Sequence, residues 1–216
     1  MKEIRQSDVE MAVKSMAQIA IENENYFSDL DAVAGDADFG VSLATGFRAV
    51  LEQWDDIDRT SISSFLLKVS MIISKTVGGC SGPIWGTAFM RSGIKAKDKE
   101  TLAISDLVEM FRSAIEGIQA RGGAELGDKT LLDALAPATA CLEEHAQTGQ
   151  LDVLAALVDA ANKANDAIEG TRDWLAKRGR QYFVGERTKG TLDPGIVAVA
   201  TMFGRIIEYA KNANKE

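Results

Sequence analysis

Residues 31–48 read Asp-Ala-Val-Ala-Gly-Asp-Ala-Asp-Phe-Gly-Val-Ser-Leu-Ala-Thr-Gly-Phe-Arg, and the rest of the chain is organised around them. Three carboxylates, Asp31, Asp36 and Asp38, fall in a loop that opens into a helical pattern. Converging carboxylates repel one another unless a cation lies between them, and an all-oxygen ligand set suits a hard ion such as Mg²⁺. The alternative interpretation is a solvated acidic loop in which Asp38 caps the following helix.

Length and composition indicate a single helical domain and argue against binding to nucleic acid or spanning a membrane. The 216 residues suffice for a full core, and we expect a single domain over residues 1–216. Few aromatic residues (6%) and only three prolines favour helices over sheets. A net charge of −8 argues against a nucleic-acid partner. The chain has no apolar run long enough for a membrane span and no signal-peptide core at its start, so we expect a cytoplasmic protein.

Hydrophobic periodicity predicts an all-α protein of eight amphipathic helices without a convincing strand. Their approximate bounds are 7–27, 38–54, 61–77, 84–94, 105–119, 129–147, 151–178 and 196–210. Ser61 or Thr60 is the expected cap of the third helix, Pro83 fits the first position of the fourth, and Ser105 the cap of the fifth. A polar loop over 179–195 precedes the last helix.

Glycine-rich loops at 35–40, 78–82, 122–127 and 185–195 lie mostly next to predicted helix starts. Backbone N–H groups at a helix N-terminus, with the positive end of the helix dipole, form a ready anion site. Together with the acidic loop, these helix starts predict a Mg²⁺–phosphate pocket built without a β-sheet. The pattern GxxxxGK[ST] is absent, and no GxGxxG follows a strand, which excludes the common sheet-based nucleotide folds.

These loops, in this order, resemble the nucleotide-binding L subunit of dihydroxyacetone kinases, the DhaL-type family. The family pattern has Asp-x-x-x-Gly-Asp-Gly-Asp-His-Gly, Gly-Gly-Ala-Ser-Gly-Pro-Leu-Tyr-Gly-Thr, Gly-Asp-Lys-Thr-Met-x-Asp, Gly-Arg-Ala-Ser-Tyr-x-Gly-Glu-Arg and Asp-Pro-Gly. The matching blocks of this chain are 31–40, 78–87, 127–133, 179–187 and 193–195. The blocks are spread over residues 31–195, so the resemblance extends over nearly the whole chain.

The resemblance implies a barrel of eight antiparallel helices that binds ADP or ATP at one end. It implies that Asp31, Asp36 and Asp38 hold two Mg²⁺ ions. Arg180, with the loop over 193–195, would close over the nucleoside end. Its fork suits a phosphate or the charge of the transition state, so we assign it a catalytic role. The implied phosphate contacts are Phe39, Gly40, Val41, Ser42, Cys80 and Ser81. The implied contacts at the nucleoside end are Gly122, Thr130, Leu131, Asp193, Pro194 and Gly195.

The resemblance also implies a partner. In this family a separate DhaK-type subunit holds the ketose, and the L subunit supplies only the phosphoryl donor. The bound nucleotide is either rephosphorylated by a phosphotransferase-system protein of the DhaM type or exchanges with free ATP, and the sequence leaves both open. A regulator that senses ADP and ATP and binds a transcription factor is the main alternative. A Mg²⁺-dependent phosphatase and a lipid-binding helical barrel are further alternatives.

Three positions depart from the family pattern. Phe39 replaces the histidine beside the metal loop, Ala37 replaces a glycine, and Cys80 replaces an alanine. A histidine can donate a hydrogen bond to a phosphate oxygen and phenylalanine cannot. We therefore expect weaker retention of the nucleotide, and exchange of ADP for ATP.

Overall fold

The computed structural model describes residues 2–149 and 152–213. The α-helices in these residues are α1 (Gln6–Glu22), α2 (Glu24–Ala34), α3 (Phe39–Glu52), α4 (Ile62–Thr76), α5 (Ser81–Lys95), α6 (Ile104–Gly122), α7 (Leu132–Gln147), α8 (Val153–Gly170) and α9 (Pro194–Ala213). Two very short strands, β1 (Ile4–Arg5) and β2 (Thr101–Leu102), form an antiparallel pair. The predicted all-α class is confirmed.

Eight of the helices form a closed ring. Each helix from α3 to α9 packs against the next one along the chain, and α1 packs against both α3 and α9. The remaining helix, α2, lies outside the ring against α3 and α9. The expected eight-helix barrel is therefore present, with α2 added to one side of it.

The ring is held by apolar side chains that recur at helical spacing. In α4, for example, Phe65, Val69 and Ile73 are fully buried. The helix starts where predicted, because the hydroxyl of Ser61 accepts a hydrogen bond of 3.0 Å from the N–H of Ser64. Such a cap contributes about 1 kcal/mol. None of the helices in the described ranges has the length and apolar composition of a membrane span.

A cavity of about 350 Å³ lies within the ring. Its wall is almost entirely apolar and includes Met16, Trp85, Met110 and Phe203. Carbon-lined walls offer water few hydrogen-bond partners. The ring is thus less densely filled at its axis than an ordinary helical core.

The predicted helix over 7–27 is two helices. The chain breaks at Asn23, whose backbone N–H and side-chain amide both donate to the carbonyl of Ile19 at 3.0 Å. Asparagine competes with the backbone for hydrogen bonds in this way and so favours helix ends. The apolar spacing continues across the break into α2, which is why periodicity alone joined the two helices.

The predicted helix over 151–178 ends at Gly170, eight residues early. Residues 171–188, which we call the strap, are wound in turns and a 3-10 segment (Arg180–Thr188) instead. The carbonyls of Arg172 and Trp174 accept hydrogen bonds from the side chain of Lys129. This tertiary contact overrides the local helical pattern.

Three smaller predictions were also wrong. The strands escaped detection because two residues, Ile4 with Leu102 for instance, are too few to show a period. The cap of α6 is made by Asp106, which accepts from the N–H of Ala103 at 2.8 Å, and not by Ser105. Pro83 is the third residue of α5 and not the first, a position where its missing N–H still costs nothing.

Candidate functional site

Asp31 lies in the last turn of α2, not in a loop as predicted from the sequence, and organises the start of α3. Its side chain is buried, and one carboxylate oxygen accepts hydrogen bonds from the backbone N–H groups of Asp38 (3.1 Å) and Phe39 (3.3 Å). The side chain of Asp38 makes no capping hydrogen bond. The interpretation of Asp38 as a simple helix cap is therefore wrong, and its carboxylate remains available for a ligand.

The three predicted metal ligands converge. One carboxylate oxygen from each of Asp31, Asp36 and Asp38 lies within 4.8 Å of the others. Burial, and then the charges of Asp36 and Asp31, raise the pKa of Asp38. The cluster is thus a site of accumulated negative charge in which a divalent cation would relieve the repulsion.

Arg180 reaches this cluster from the strap. Its Nε lies 2.8 Å from a carboxylate oxygen of Asp36, although two thirds of its side chain is exposed. The structure therefore places Arg180 on the acidic loop, whereas the resemblance implied that it closes over the nucleoside end. A guanidinium held here has further N–H donors left for a second anion, such as a phosphate oxygen.

The turn between the carboxylates is tightly constrained. Ala37 has φ = +63°, in the left-handed region that glycine adopts without strain. Gly35 lies directly against the side chain of Asp31, where a Cβ atom would clash with the carboxylate. The family has glycine at the position of Ala37 because the backbone there adopts a positive φ.

The residues expected to contact phosphate lie at two adjoining helix starts. Gly40, Val41 and Ser42 are in the first turn of α3, and Ser81 opens α5 after the exposed Cys80. The two helix starts are neighbours: a Cβ atom placed on Gly78, just before α5, would lie 3.2 Å from the hydroxyl oxygen of Ser42 in α3. Two helix N-termini beside the acidic cluster form a suitable anion site.

Phe39 differs from the expectation. Its backbone N–H already bonds to Asp31, so this N–H is committed to the loop. Its ring packs edge-to-face against the buried Phe27 of α2, with 6.3 Å between ring centroids. The side chain that replaces the family histidine therefore helps to hold α2 on α3.

The residues expected at the nucleoside end are also brought together in part. Leu131 directly precedes α7, and a Cβ on Gly195 would lie 3.3 Å from that of Leu131. Thr130 accepts from the N–H of Leu132, as a cap would. Gly122 is the last residue of α6 and faces Ile84 of α5. Gly122 thus lies against the first turn of α5, and Leu131 lies against Gly195.

Asp193 caps α9 together with Pro194, the first residue of that helix. A carboxylate oxygen of Asp193 accepts from the N–H of Ile196 at 2.8 Å. Burial raises the pKa of Asp193 to about 7, although the N–H groups of Ile196 and Gly195 and the charge of Lys129 act in the opposite direction. This carboxyl therefore titrates near neutral pH.

Sequence reasoning missed the interior of the third block. Asp128 is buried and pairs with Arg178 of the strap at 2.8 Å, and Lys129 is 2% exposed. Asp133 accepts from the N–H groups of Gly127 (2.7 Å) and Thr130 (2.9 Å). The only signal was a cluster of charged residues in a glycine turn, which usually indicates a solvated loop.

Fold and site together define a helical barrel that carries a loop with three converging carboxylates. A family model described as the DAK2 domain matches residues 33–208, and the chain belongs to that family. Within it, the chain is of the DhaL type. It is 35% identical over 186 residues to the ADP-binding subunit DhaL of the PEP-dependent dihydroxyacetone kinase of Escherichia coli, covering 86% of this chain and 88% of that subunit.

Two further comparisons show how the domain is used elsewhere. The L-erythrulose 1-kinase of Mycolicibacterium smegmatis is 32% identical over 91% of this chain, which spans only 34% of that kinase. The crystal structure of the dihydroxyacetone kinase of C. freundii superposes with a TM-score of 0.74 at 23% identity, over 97% of this chain and 36% of that one. The second likeness supports the barrel fold.

Proposed function

We propose that this chain is the Mg²⁺-nucleotide-binding, phosphoryl-donor subunit of a short-chain ketose kinase. The observation that carries the proposal is the convergence of Asp31, Asp36 and Asp38 within 4.8 Å, with Arg180 set on Asp36. The relatives point the same way, since the E. coli protein is named as an ADP-binding subunit. Another solved structure of the C. freundii kinase contains AMP-PNP and Mg²⁺.

The residues present fit Mg²⁺, because they offer carboxylate oxygens of accumulated charge and no soft ligand. The three aspartates would hold one or two such ions, which neutralise phosphate charge when bound. The N–H groups in the first turn of α3 and at the start of α5 would orient the phosphates. Arg180 would donate a hydrogen bond to the phosphoryl group that is transferred. Leu131 and Gly195 would line the end of the site where the nucleoside lies.

A partner must provide the substrate. The proposed roles of these residues are to bind and orient the donor, and no residue among them is placed to take a proton from a sugar hydroxyl. Tyr182 and Phe183, beside Arg180 on the strap, are 58% and 85% exposed. Exposed aromatic side chains next to a reacting group suit the contact with a second subunit. The relatives are named as subunits of a dihydroxyacetone kinase, and we propose a DhaK-type subunit in the cytoplasm as the partner.

Reconstitution tests this proposal. Calorimetry with Mg²⁺ and ADP should show binding to the purified chain, and no binding to Asp36→Ala. The chain alone should not phosphorylate dihydroxyacetone or a four-carbon ketose, whereas addition of a DhaK-type subunit and ATP should produce the sugar phosphate. Sugar phosphorylation by the chain alone, or failure of the wild type to bind Mg²⁺-ADP, would refute the proposal.

The source of the phosphoryl group follows from Phe39. A nucleotide that lacks one charge-assisted hydrogen bond leaves more readily, so we propose exchange of ADP for free ATP in place of a DhaM-type donor. Stoichiometric ADP after prolonged dialysis with Mg²⁺ would contradict this donor scheme. The reconstitution experiment addresses the regulator alternative, because a regulator would bind ADP and ATP yet give no sugar phosphate with any DhaK-type subunit.

The cavity favours one second candidate. An apolar space of about 350 Å³ inside a helical ring suits an acyl chain, which corresponds to the lipid-binding alternative. This activity would use the ring interior and leave the acidic loop free. Organic extraction of the purified chain followed by mass spectrometry tests it, and the absence of a stoichiometric lipid would remove it.

A further inference from the structure

Lys129 is an unusual lysine. Its side chain is 2% exposed, and its Nζ donates to the backbone carbonyls of Arg172 (2.9 Å), Trp174 (3.2 Å) and Thr188 (2.7 Å). An ammonium group has three N–H donors, so each donor has one acceptor. A buried lysine is costly unless it is fully hydrogen-bonded, and this one satisfies that condition entirely with backbone atoms.

The three carbonyls lie at the two ends of the strap. Two of them, from Arg172 and Trp174, belong to its first turn, and the third belongs to Thr188, its last residue. The two ends are also joined directly, because the N–H of Ala176 donates to the hydroxyl of Thr188 at 3.0 Å. A single side chain from the loop before α7 thus closes residues 171–188 into a loop fixed at both ends.

The base of this clamp is itself rigid. Lys129 has φ = +60°, a left-handed conformation that directs its side chain inward and that a β-carbon normally opposes. Neighbouring Asp128 receives the guanidinium of Arg178 at 2.8 Å, and its carbonyl accepts from the N–H of Lys177 at 3.0 Å. The strap is therefore held at several points by two adjacent residues.

The middle of the strap carries Arg180, directly before the buried Gln181. Its side chain is largely exposed, yet its Nε lies 2.8 Å from Asp36. An exposed arginine keeps one orientation only at an entropic cost, so the position of its backbone decides how often the contact forms. That backbone is set by the clamp, fixed at its ends by Lys129.

We propose that Lys129 is a positioning residue, which holds the strap so that Arg180 stays over the acidic cluster where the phosphates bind. The inference rests on the proposed function for its effect on nucleotide, but the contact between Arg180 and Asp36 can be tested without nucleotide. Lys129 acts through Arg180 and does not touch the ligand.

The first experiment measures the contact itself. Phenylglyoxal modifies arginine, and mass spectrometry follows its rate at Arg180 in the chain without nucleotide. Asp36→Asn supplies the rate for an unpaired Arg180. Lys129→Met, and separately Thr188→Val, which loosens the clamp from its other end, should shift the rate toward that reference. Lys189→Met, an exposed lysine just past the strap, should leave the rate unchanged.

The second experiment is a double-mutant cycle on Mg²⁺-ADP affinity. Arg180→Ala should weaken binding about tenfold to a hundredfold, as expected for loss of a charge-assisted hydrogen bond. Lys129→Met and Thr188→Val should weaken binding in the same direction. In the Arg180→Ala background neither should weaken it further, because the residue they act through is gone.

The outcomes separate the possibilities. Losses that add fully in the double variants would show that Lys129 only stabilises the fold, and would overturn the proposal. An unchanged Arg180 modification rate in both Thr188→Val and folded Lys129→Met would overturn it as well. If the wild type binds no Mg²⁺-ADP, the proposed function fails, yet the modification rates still decide whether Lys129 positions Arg180.

Discussion

Replacing Asp38 with asparagine should reverse the order of stability between the variant and the wild type when Mg²⁺-ADP is added. Without a cation, the cluster contains three carboxylates within 4.8 Å of one another, and the pKa of Asp38 is raised by burial and by its two neighbours. The Asp38 side chain makes no capping bond that the substitution would break. Asp38→Asn therefore removes repulsion and little else.

The magnitude follows from the geometry. At 4.8 Å each pair of like charges costs about 0.9 kcal/mol in water, so removing two pairs relieves about 1.7 kcal/mol. Salt screening and the lost attraction to Arg180 reduce this to about 1 kcal/mol. For a chain of this length that corresponds to a rise in Tm of about 2–4 °C.

Bound nucleotide should act the other way. At a hundredfold excess over its dissociation constant, Mg²⁺-ADP stabilises the wild type by about 2.7 kcal/mol, which raises its Tm by about 5–10 °C. The variant should gain almost nothing from the same addition. Thermal scans of both proteins, with and without Mg²⁺-ADP, measure all four values, and Asp29→Asn on the exposed surface of α2 is the matched control.

The reasoning would be refuted if Asp38→Asn lowered the Tm of the ligand-free chain, because the cluster would then contribute stability instead of repulsion. It would also be refuted if Mg²⁺-ADP stabilised the variant as much as the wild type. An equal gain for Asp29→Asn and Asp38→Asn in the ligand-free chain would mean that only net charge matters.

Three further expectations concern single residues. Ala37→Gly should raise the free energy of unfolding by about 0.5–1 kcal/mol in chemical denaturation, because glycine removes the strain of φ = +63°; a loss of stability would contradict it. Because the pKa of Asp193 is raised to about 7, the folded state binds the extra proton between about pH 4 and 7, and its contribution to stability falls as pH rises through that range. Asp193→Asn, which keeps a capping oxygen, should flatten this slope in pH-dependent unfolding, and an unchanged slope would exclude this carboxyl as its source. Phe39→His should slow the dissociation of Mg²⁺-ADP about tenfold or more while weakening the contact with Phe27, and an unchanged dissociation rate would show that position 39 does not reach the phosphates.

Local chemistry made the ring and the acidic loop predictable. The helices of the ring show apolar periodicity over three turns or more, and Ser61 shows the usual chemistry of a cap. Asp31, Asp36 and Asp38 are so close in sequence, in a turn that contains glycine, that their side chains come close together in space. What resemblance added was the order of the blocks, and this named Arg180 before its contact with Asp36 was known.

The strap could not be predicted, because nothing local determines it. The helical pattern of α8 continues past Gly170. The carbonyls of Arg172 and Trp174 instead accept hydrogen bonds from the ammonium of Lys129, more than 40 residues earlier in the chain, and that of Arg172 also accepts from the N–H of Gly190. In the same way Asn23 ended α1 without breaking the apolar period. Tertiary hydrogen bonds outweighed propensity in the first case, and a local side-chain amide did so in the second.

The cavity makes this barrel sensitive to pressure. When the apolar space of about 350 Å³ holds no water, unfolding eliminates it, and the total volume of protein plus water decreases. For a volume change of about −100 mL/mol, each 100 MPa would remove about 2 kcal/mol of stability. An apolar molecule that fills the ring would cancel most of this effect. High pressure should therefore unfold an empty barrel well before a filled one, even where the two melt at similar temperatures.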